Sequence, residues 1–311
     1  MEYLLFLQNI RDVSPAFIDY IFVGISELVL YGGALVPFII MFAFDMHEGS
    51  IVGFNICGAN MVCNVAKLFA CVYRPWIRDP RLHPAKEVAA TGSGYSFPSG
   101  HTTMAGASYG SIMQWQNWKK RVVIVCTVMA ILTAFARNYL GMHTFIDVFA
   151  ALILSVVVLI FNSWMSKKVA ENPDLDIPIF IIWTLVCIVS AIAIAVKDYP
   201  VDYAADGTVL VDSVKMMKDG YEAIGMALAW GIGWFFQRRV VKLESGGEVK
   251  HRISRTLGAI LSFLIPFVLM EVLLKPHMNI ILFACLHRFV SILCVFFIFM
   301  PIAKKIQNKN D

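Results

Sequence analysis

The stretch Lys120-Arg-Val-Val-Ile-Val-Cys-Thr-Val-Met-Ala-Ile-Leu-Thr-Ala-Phe-Ala-Arg137-Asn-Tyr-Leu-Gly-Met-His143-Thr-Phe-Ile-Asp147-Val-Phe-Ala-Ala-Leu-Ile-Leu-Ser-Val-Val-Val-Leu-Ile-Phe-Asn-Ser-Trp164 decides the fold. It holds two apolar runs, each near the roughly 20 residues that a helix needs to cross about 30 Å of hydrocarbon. A short turn joins them, and beyond the opening Lys120-Arg121 charge intrudes only around it. The alternation of a half-buried strand is missing, and hydrocarbon tolerates no unpaired backbone, so both runs read as transmembrane helices.

The same pattern recurs outward in both directions. About nine spans are expected, near 24–44, 49–72, 101–116, 119–138, 143–164, 177–196, 220–237, 255–274 and 279–303. Residues 1–20 fit an interfacial helix, and no basic n-region or cleavage site marks a removable signal. Hydrophobic residues make up 59% of the 311 and charged residues 15%, and the mean hydropathy is +0.70. Those values exclude a soluble globular class and lead to an all-α, polytopic transmembrane bundle. The seven cysteines lie in or beside apolar runs without metal-ligand spacing, and so read as packing residues. A soft boundary is expected near 165–176, dividing a catalytic core over 1–165 from additional helices over 166–311.

Lysine and arginine concentrate in alternate connections: Lys119 to Arg121, Lys167 and Lys168, Arg238 to Arg255, and Lys304 to Lys309. The positive-inside rule makes these cytoplasmic, which puts the N-terminus outside and the C-terminus inside. The 73–100 segment, the 138–143 turn and the acidic 197–219 loop then face outward. An integral protein of the cell membrane is expected, with membrane lipids around it and no nucleic-acid partner. The sequence leaves its oligomeric state open.

Three outward segments carry chemistry. Lys67 and Arg74 stand seven residues apart, about two helical turns, so both could address one anion; alone they would better suit snorkelling to lipid headgroups. In Tyr95-Ser-Phe-Pro98-Ser99-Gly100-His101-Thr102, a glycine permits close backbone approach and a helix start offers free amides to an anion. His101 there can donate a proton to a leaving oxygen. In Arg137-Asn-Tyr-Leu-Gly-Met-His143-Thr-Phe-Ile-Asp147, a helix beginning near His143 puts Asp147 on the same face, where its carboxylate can orient one ring nitrogen and free the other to attack. Topology gathers all three segments at one depth on one side, as an active site requires.

These motifs closely resemble those of the type 2 phosphatidic acid phosphatase (PAP2) superfamily: a lysine followed by Arg-Pro, then Pro-Ser-Gly-His, then Ser-Arg with a downstream His and Asp. Here they stand as Lys67 with Arg74-Pro75, as Pro98-Ser99-Gly100-His101, and as Arg137 with His143 and Asp147. The resemblance implies a PAP2-type helical core in which Lys67, Arg74, Ser99, Gly100 and Arg137 bind phosphoryl oxygens. It further implies His143 as nucleophile, held by Asp147 and forming a phosphohistidine, with His101 as general acid and no metal or other cofactor. The family serine before the arginine is Ala136 here. The span count is similar to the glucose-6-phosphatase branch, whereas the acid at Asp147 suits lipid-phosphatase members.

The expected function is therefore phosphomonoester or diphosphate hydrolysis, with a phosphorylated lipid or another phosphate ester as substrate. A sugar phosphatase is the alternative, as is a haloperoxidase-like pocket holding vanadate. A transporter or lipid-binding protein could use the cations without chemistry. Outside the motifs, Glu271 and Arg288 are expected to form an intramembrane ion pair, and Gly231 and Gly233 to permit close helix packing.

Overall fold

Helices begin and end in this chain where charge, proline and glycine interrupt the apolar runs. In the computed structural model the longer ones are α1 (Glu2–Val13), α2 (Phe17–Gly33), α3 (Met46–Ala70), α4 (Gly100–Trp115), α5 (Lys120–Tyr139), α6 (Phe145–Glu171), α7 (Asp176–Val196), α8 (Ser213–Phe236), α9 (Val249–Leu273), α10 (Ile280–Leu293) and α11 (Met300–Asn310). The structure describes residues 1–89, 92, 94–204 and 206–310, with side chains through residue 308. Among the described residues there is no strand, only an isolated bridge between Tyr203 and Val209. The all-α expectation is met.

Among the described residues, six segments are long and apolar enough to cross a membrane: Met46–Arg78, Lys120–Tyr139, Phe145–Glu171, Pro173–Val196, Val249–Leu273 and Ile280–Asn308. Phe17–Gly33 and Val36–Phe44, bent by 49° at a short break, make a seventh if taken as one span. The two remaining expected spans do not meet the same measure. α4 has only 16 residues, and α8 opens with Lys215, Lys218, Asp219 and Glu222. On α7 the outward side chains Ile181, Ile182, Leu185, Val189 and Ile192 are exposed. An apolar stripe of that kind belongs in lipid, and the chain is a multi-pass membrane protein by its helices.

The contacts divide the chain into two compact units. The first comprises Met1–Gly33, Val62–Leu159 and Val196–Met217, and it contains every motif residue. Within it α2 packs on α4 and α5, and α4 packs on α5. α4 also lies close to α6: the Ser155 hydroxyl donates to the Thr103 carbonyl at 2.9 Å. A Cβ on Gly106 would come within 2.6 Å of Ser155 atoms, so glycine lets these helices touch.

The second unit comprises Ala34–Met61, Ile160–Ala195 and Lys218–Asp311. Trp230 centres its core, with Phe38 at 5.6 Å and Phe296 edge-on at 5.3 Å, and its indole N–H donates to the Ser50 carbonyl at 3.0 Å. Gly231 and Gly233 do admit close neighbours, since a Cβ on either would collide with Trp183 or Phe296. The expected Glu271–Arg288 pair does not form. Arg288 Nε donates to Glu222 of α8 at 2.7 Å, while Glu271 pairs with Lys275, one turn along the chain. Two nearby opposite charges looked like partners, but each finds a better-placed ligand.

Candidate active site

Local backbone chemistry brings the third motif together. α5 ends at Tyr139, and Gly141 takes φ +71°, which costs glycine little. The Gly141 N–H donates to the Asn138 carbonyl at 2.9 Å, and the Met142 N–H to the Arg137 carbonyl at 3.0 Å. This Schellman-type ending turns the chain back over the last turn of α5. His143 therefore returns above Arg137; its own N–H donates to the Arg137 carbonyl, and the Asn138 amide donates to the His143 carbonyl at 2.8 Å.

α6 begins with a capping box. The Asp147 N–H donates to Thr144 Oγ1, and the Thr144 N–H donates to Asp147 Oδ2 at 2.7 Å. Asp147 is thereby fixed, and it is 2% exposed. His143 precedes the helix instead of sharing its face, and its Nδ1 lies 3.8 Å from Asp147 Oδ2. That is too long for a direct hydrogen bond. The Ser96 hydroxyl bridges the gap, donating to Asp147 Oδ2 at 2.7 Å with His143 Nδ1 3.4 Å from its oxygen.

The other ring nitrogen faces the cations. Arg74 Nη1 stands 2.9 Å from His143 Nε2. A guanidinium is always protonated and must donate, so Nε2 is the acceptor and the ring proton sits on Nδ1, toward Ser96. His143 lies in the turn between α5 and α6 and is 1% exposed. Burial first, then Arg74 and Lys67, hold its ring well below the usual imidazole range. The ring is therefore neutral, with its Nε2 lone pair engaged by Arg74.

Lys67 and Arg74 converge by a different route from the shared helical face expected of them. α3 stops at Ala70, and Arg74 is extended (φ −61°, ψ 154°), ahead of the short turn Pro75–Arg78. Both cations bind the 94–98 loop: Lys67 Nζ donates to the Pro98 and Tyr95 carbonyls at 2.8 and 3.2 Å, and Arg74 Nε to the Gly94 carbonyl at 2.9 Å. Arg74 Nη1 also donates to the Met142 carbonyl. The Ser99 N–H donates to the Asp147 carbonyl at 3.1 Å, which docks the second motif on the third. Ser99 caps α4, its hydroxyl oxygen accepting from Thr102, so its own hydrogen remains free to donate. A Cβ on Gly100 would meet no atom within 4 Å, leaving open space beside the first amides of α4.

Arg137 is the deepest cation, at 1% exposure. Its Nη1 donates to Ser26 Oγ at 3.3 Å, and its Nε has no partner. All the described partners of Arg74 and Arg137 are neutral. Asp147 and Glu27 act on them only from a distance; a buried guanidinium with no carboxylate in contact is costly, and the arrangement suits a phosphoryl group.

His101, in the first turn of α4, has its Nε2 3.1 Å from Glu27 Oε1. Sequence reasoning had left out Ser26, Glu27 and Ser96. A carboxylate inside an apolar span was the available signal for Glu27, and Thr144-x-x-Asp147 was a legible capping box. Ser96 carried no signal of its own beyond its place beside Pro98.

The family model of the PAP2 superfamily matches residues 48–171, a segment that holds every motif residue but neither Ser26 nor Glu27. Phosphatidylglycerophosphatase B of Bacillus subtilis (strain 168) is 28% identical over 117 residues, covering 35% of this chain. The chain spans 57% of the length of that relative. No solved structure matches.

Proposed function

We propose that the chain is a membrane phosphatase that hydrolyses a phosphorylated lipid through a phosphohistidine on His143. The observation that carries this reading is two buried guanidiniums with neutral partners, Arg74 and Arg137, around a neutral imidazole whose Nδ1 side faces Ser96 and Asp147. Lys67, Arg74 and Arg137 would bind the non-bridging phosphoryl oxygens, helped by the Ser99 hydroxyl and the Gly100 amide, and would stabilise their charge in the transition state. The Nε2 lone pair attacks phosphorus while the ester P–O bond breaks, and His101 gives a proton to the leaving oxygen. Water then attacks the phosphohistidine, the P–N bond breaks, and His101 takes the proton from the water. Arg74 must release Nε2 as the anion arrives, since it now occupies the attacking lone pair.

The match to a phosphatidylglycerophosphatase and the apolar surroundings favour a lipid phosphate over a sugar phosphate. The charge bias of the connections supports about nine spans, counting α4 and α8, with His101 and His143 opening to the extracytoplasmic side.

Phosphate release by the purified protein in detergent tests this, using phosphatidic acid, phosphatidylglycerol phosphate, undecaprenyl diphosphate and glucose 6-phosphate. Turnover of lipid phosphates is expected, with a loss on the order of 10⁴-fold or more in His143→Ala together with loss of the acid-labile phosphoryl label. Full activity in that variant would sink the mechanism, and release from glucose 6-phosphate alone would move the substrate class.

A further inference from the structure

Two consecutive residues of α2, Ser26 and Glu27, reach motif side chains, although α2 lies before the segment that the family model matches. Ser26 accepts from Arg137, and Glu27 Oε1 lies 3.1 Å from His101 Nε2. Close packing supports this placement: a Cβ on Gly33 of α2 would come within 2.9 Å of Ser108 Oγ on α4, so the helices meet nearly backbone to side chain. Glu27 sits in an apolar helix, where a carboxylate has to find a partner that repays its desolvation. The partner is the ring proposed as general acid.

We propose that Glu27 is a positioning residue for proton transfer, accepting the Nε2 proton of His101 as a hydrogen bond so that the opposite nitrogen, Nδ1, carries the proton given to the leaving oxygen. This deepens the phosphatase reading and rests on it. The chemistry follows from the ring. With Nε2–H committed to Glu27, His101 can donate to substrate only from Nδ1, which requires the doubly protonated ring. The carboxylate stabilises that cation against burial first, and then against Arg137 and Arg74, all of which oppose it. After transfer, the neutral ring has its lone pair on Nδ1, ready to take a proton from the attacking water. Glu27 keeps one tautomer through both half-reactions, as an oriented acid does for a catalytic imidazole. It touches no reacting atom.

The leaving group separates this role from a structural one. Protonation matters for an alkyl ester, whose alkoxide leaves poorly, and hardly at all for p-nitrophenyl phosphate, whose phenolate leaves unaided. Glu27→Gln is expected to lower kcat/KM, which reads only the steps up to departure of the leaving group, roughly 100-fold on a lysophosphatidate and less than about threefold on p-nitrophenyl phosphate, with Glu27→Asp recovering part of the alkyl rate. In a His101→Asn background, Glu27→Gln should add no further loss on the alkyl ester, because both changes remove one proton-transfer unit.

Equal losses on both esters, no loss on either, or additive losses in the double variant would overturn the role of Glu27. Should Glu27→Gln fail to accumulate in the membrane, Glu27→Asp alone reads the same split, and equal losses there overturn it too. Wild-type turnover that disappears in His143→Ala is the control. Its failure overturns the phosphatase reading itself, whereas an unsplit Glu27→Gln leaves that reading standing.

Discussion

Both units hold arginines by side-chain contacts, on different terms. In the second, Asp176 is 1% exposed and accepts from both Arg238 and Arg239, and Arg288 reaches Glu222 at 2.7 Å. There the arginines stay partly exposed; in the first unit Arg74 and Arg137 are buried, yet bond to carbonyls, a hydroxyl and an imidazole. A cation paired within the fold stabilises the fold. One bonded only to neutral groups costs stability, and under the proposed function a phosphoryl group would complete it.

The largest effects should follow that division. Arg137→Met and Arg74→Met are expected to lower kcat/KM about 10³-fold, since each removes a donor to developing phosphoryl charge, while thermal stability stays level or rises. Arg288→Met should leave turnover within about threefold and destabilise by roughly 1–2 kcal/mol, because it strands Glu222. Paired measurements of phosphate release and melting in detergent decide this. Arg137→Met melting far below wild type with turnover retained would erase the distinction.

Next in size are the residues behind His143. Asp147→Asn is expected to cost about 100-fold in kcat, since an amide cannot favour the Nδ1–H tautomer or a positive ring as a carboxylate does. Ser96→Ala should cost about tenfold, because it deletes the bridge but leaves Asp147 and its capping box in place. If Ser96→Ala equalled Asp147→Asn, the serine would be an essential link in its own right and not a spacer over 3.8 Å.

A pH profile sharpens the comparison further. The His143 pKa is lowered by burial and by cations, so the ring stays unprotonated as pH falls through 6.5. The acid limb of kcat/KM should therefore lie below pH 6.5, after correction for the second ionisation of a phosphate ester at about 6. Arg74→Met removes a repelling charge, so the same limb should move upward. A downward movement would show that the guanidinium does not face the free nucleophile.

Charge and hydropathy made the helices legible in the sequence, and three short motifs supplied the residues, because both signals are local. The connections between them were less legible. Lys67 and Arg74 looked like one helical face, but α3 ends between them and a loop of carbonyls collects them instead. Asp147 looked like a direct partner of His143, but the helix starts two residues later than His143 and a serine from another segment intervenes. Glu271 and Arg288 looked paired, yet Glu222 from α8 takes the arginine. Each case turned on a residue distant in sequence, which periodicity cannot supply. Glu27 differs, since a carboxylate within an apolar span could have been singled out on cost alone.

The smallest predicted effect concerns Ala136, fully buried on α5 beside Arg137. The superfamily pattern has serine at this position, and Ala136→Ser would add one hydroxyl next to the proposed phosphate site. Its oxygen has two choices: the carbonyl of the preceding helical turn, which would leave activity unchanged, or the bound phosphoryl group. A neutral hydrogen bond is worth about 1 kcal/mol, so the second choice raises kcat/KM about fivefold. Ser26 already occupies the Arg137 side of this region from α2, holding Nη1 at 3.3 Å. If Ser26 serves in place of the missing hydroxyl, Ala136→Ser should gain little in the native background and about fivefold when combined with Ser26→Ala. Equal gains in both backgrounds would show that the two positions act independently, and that α2 supplies Glu27 to the site without also compensating for Ala136.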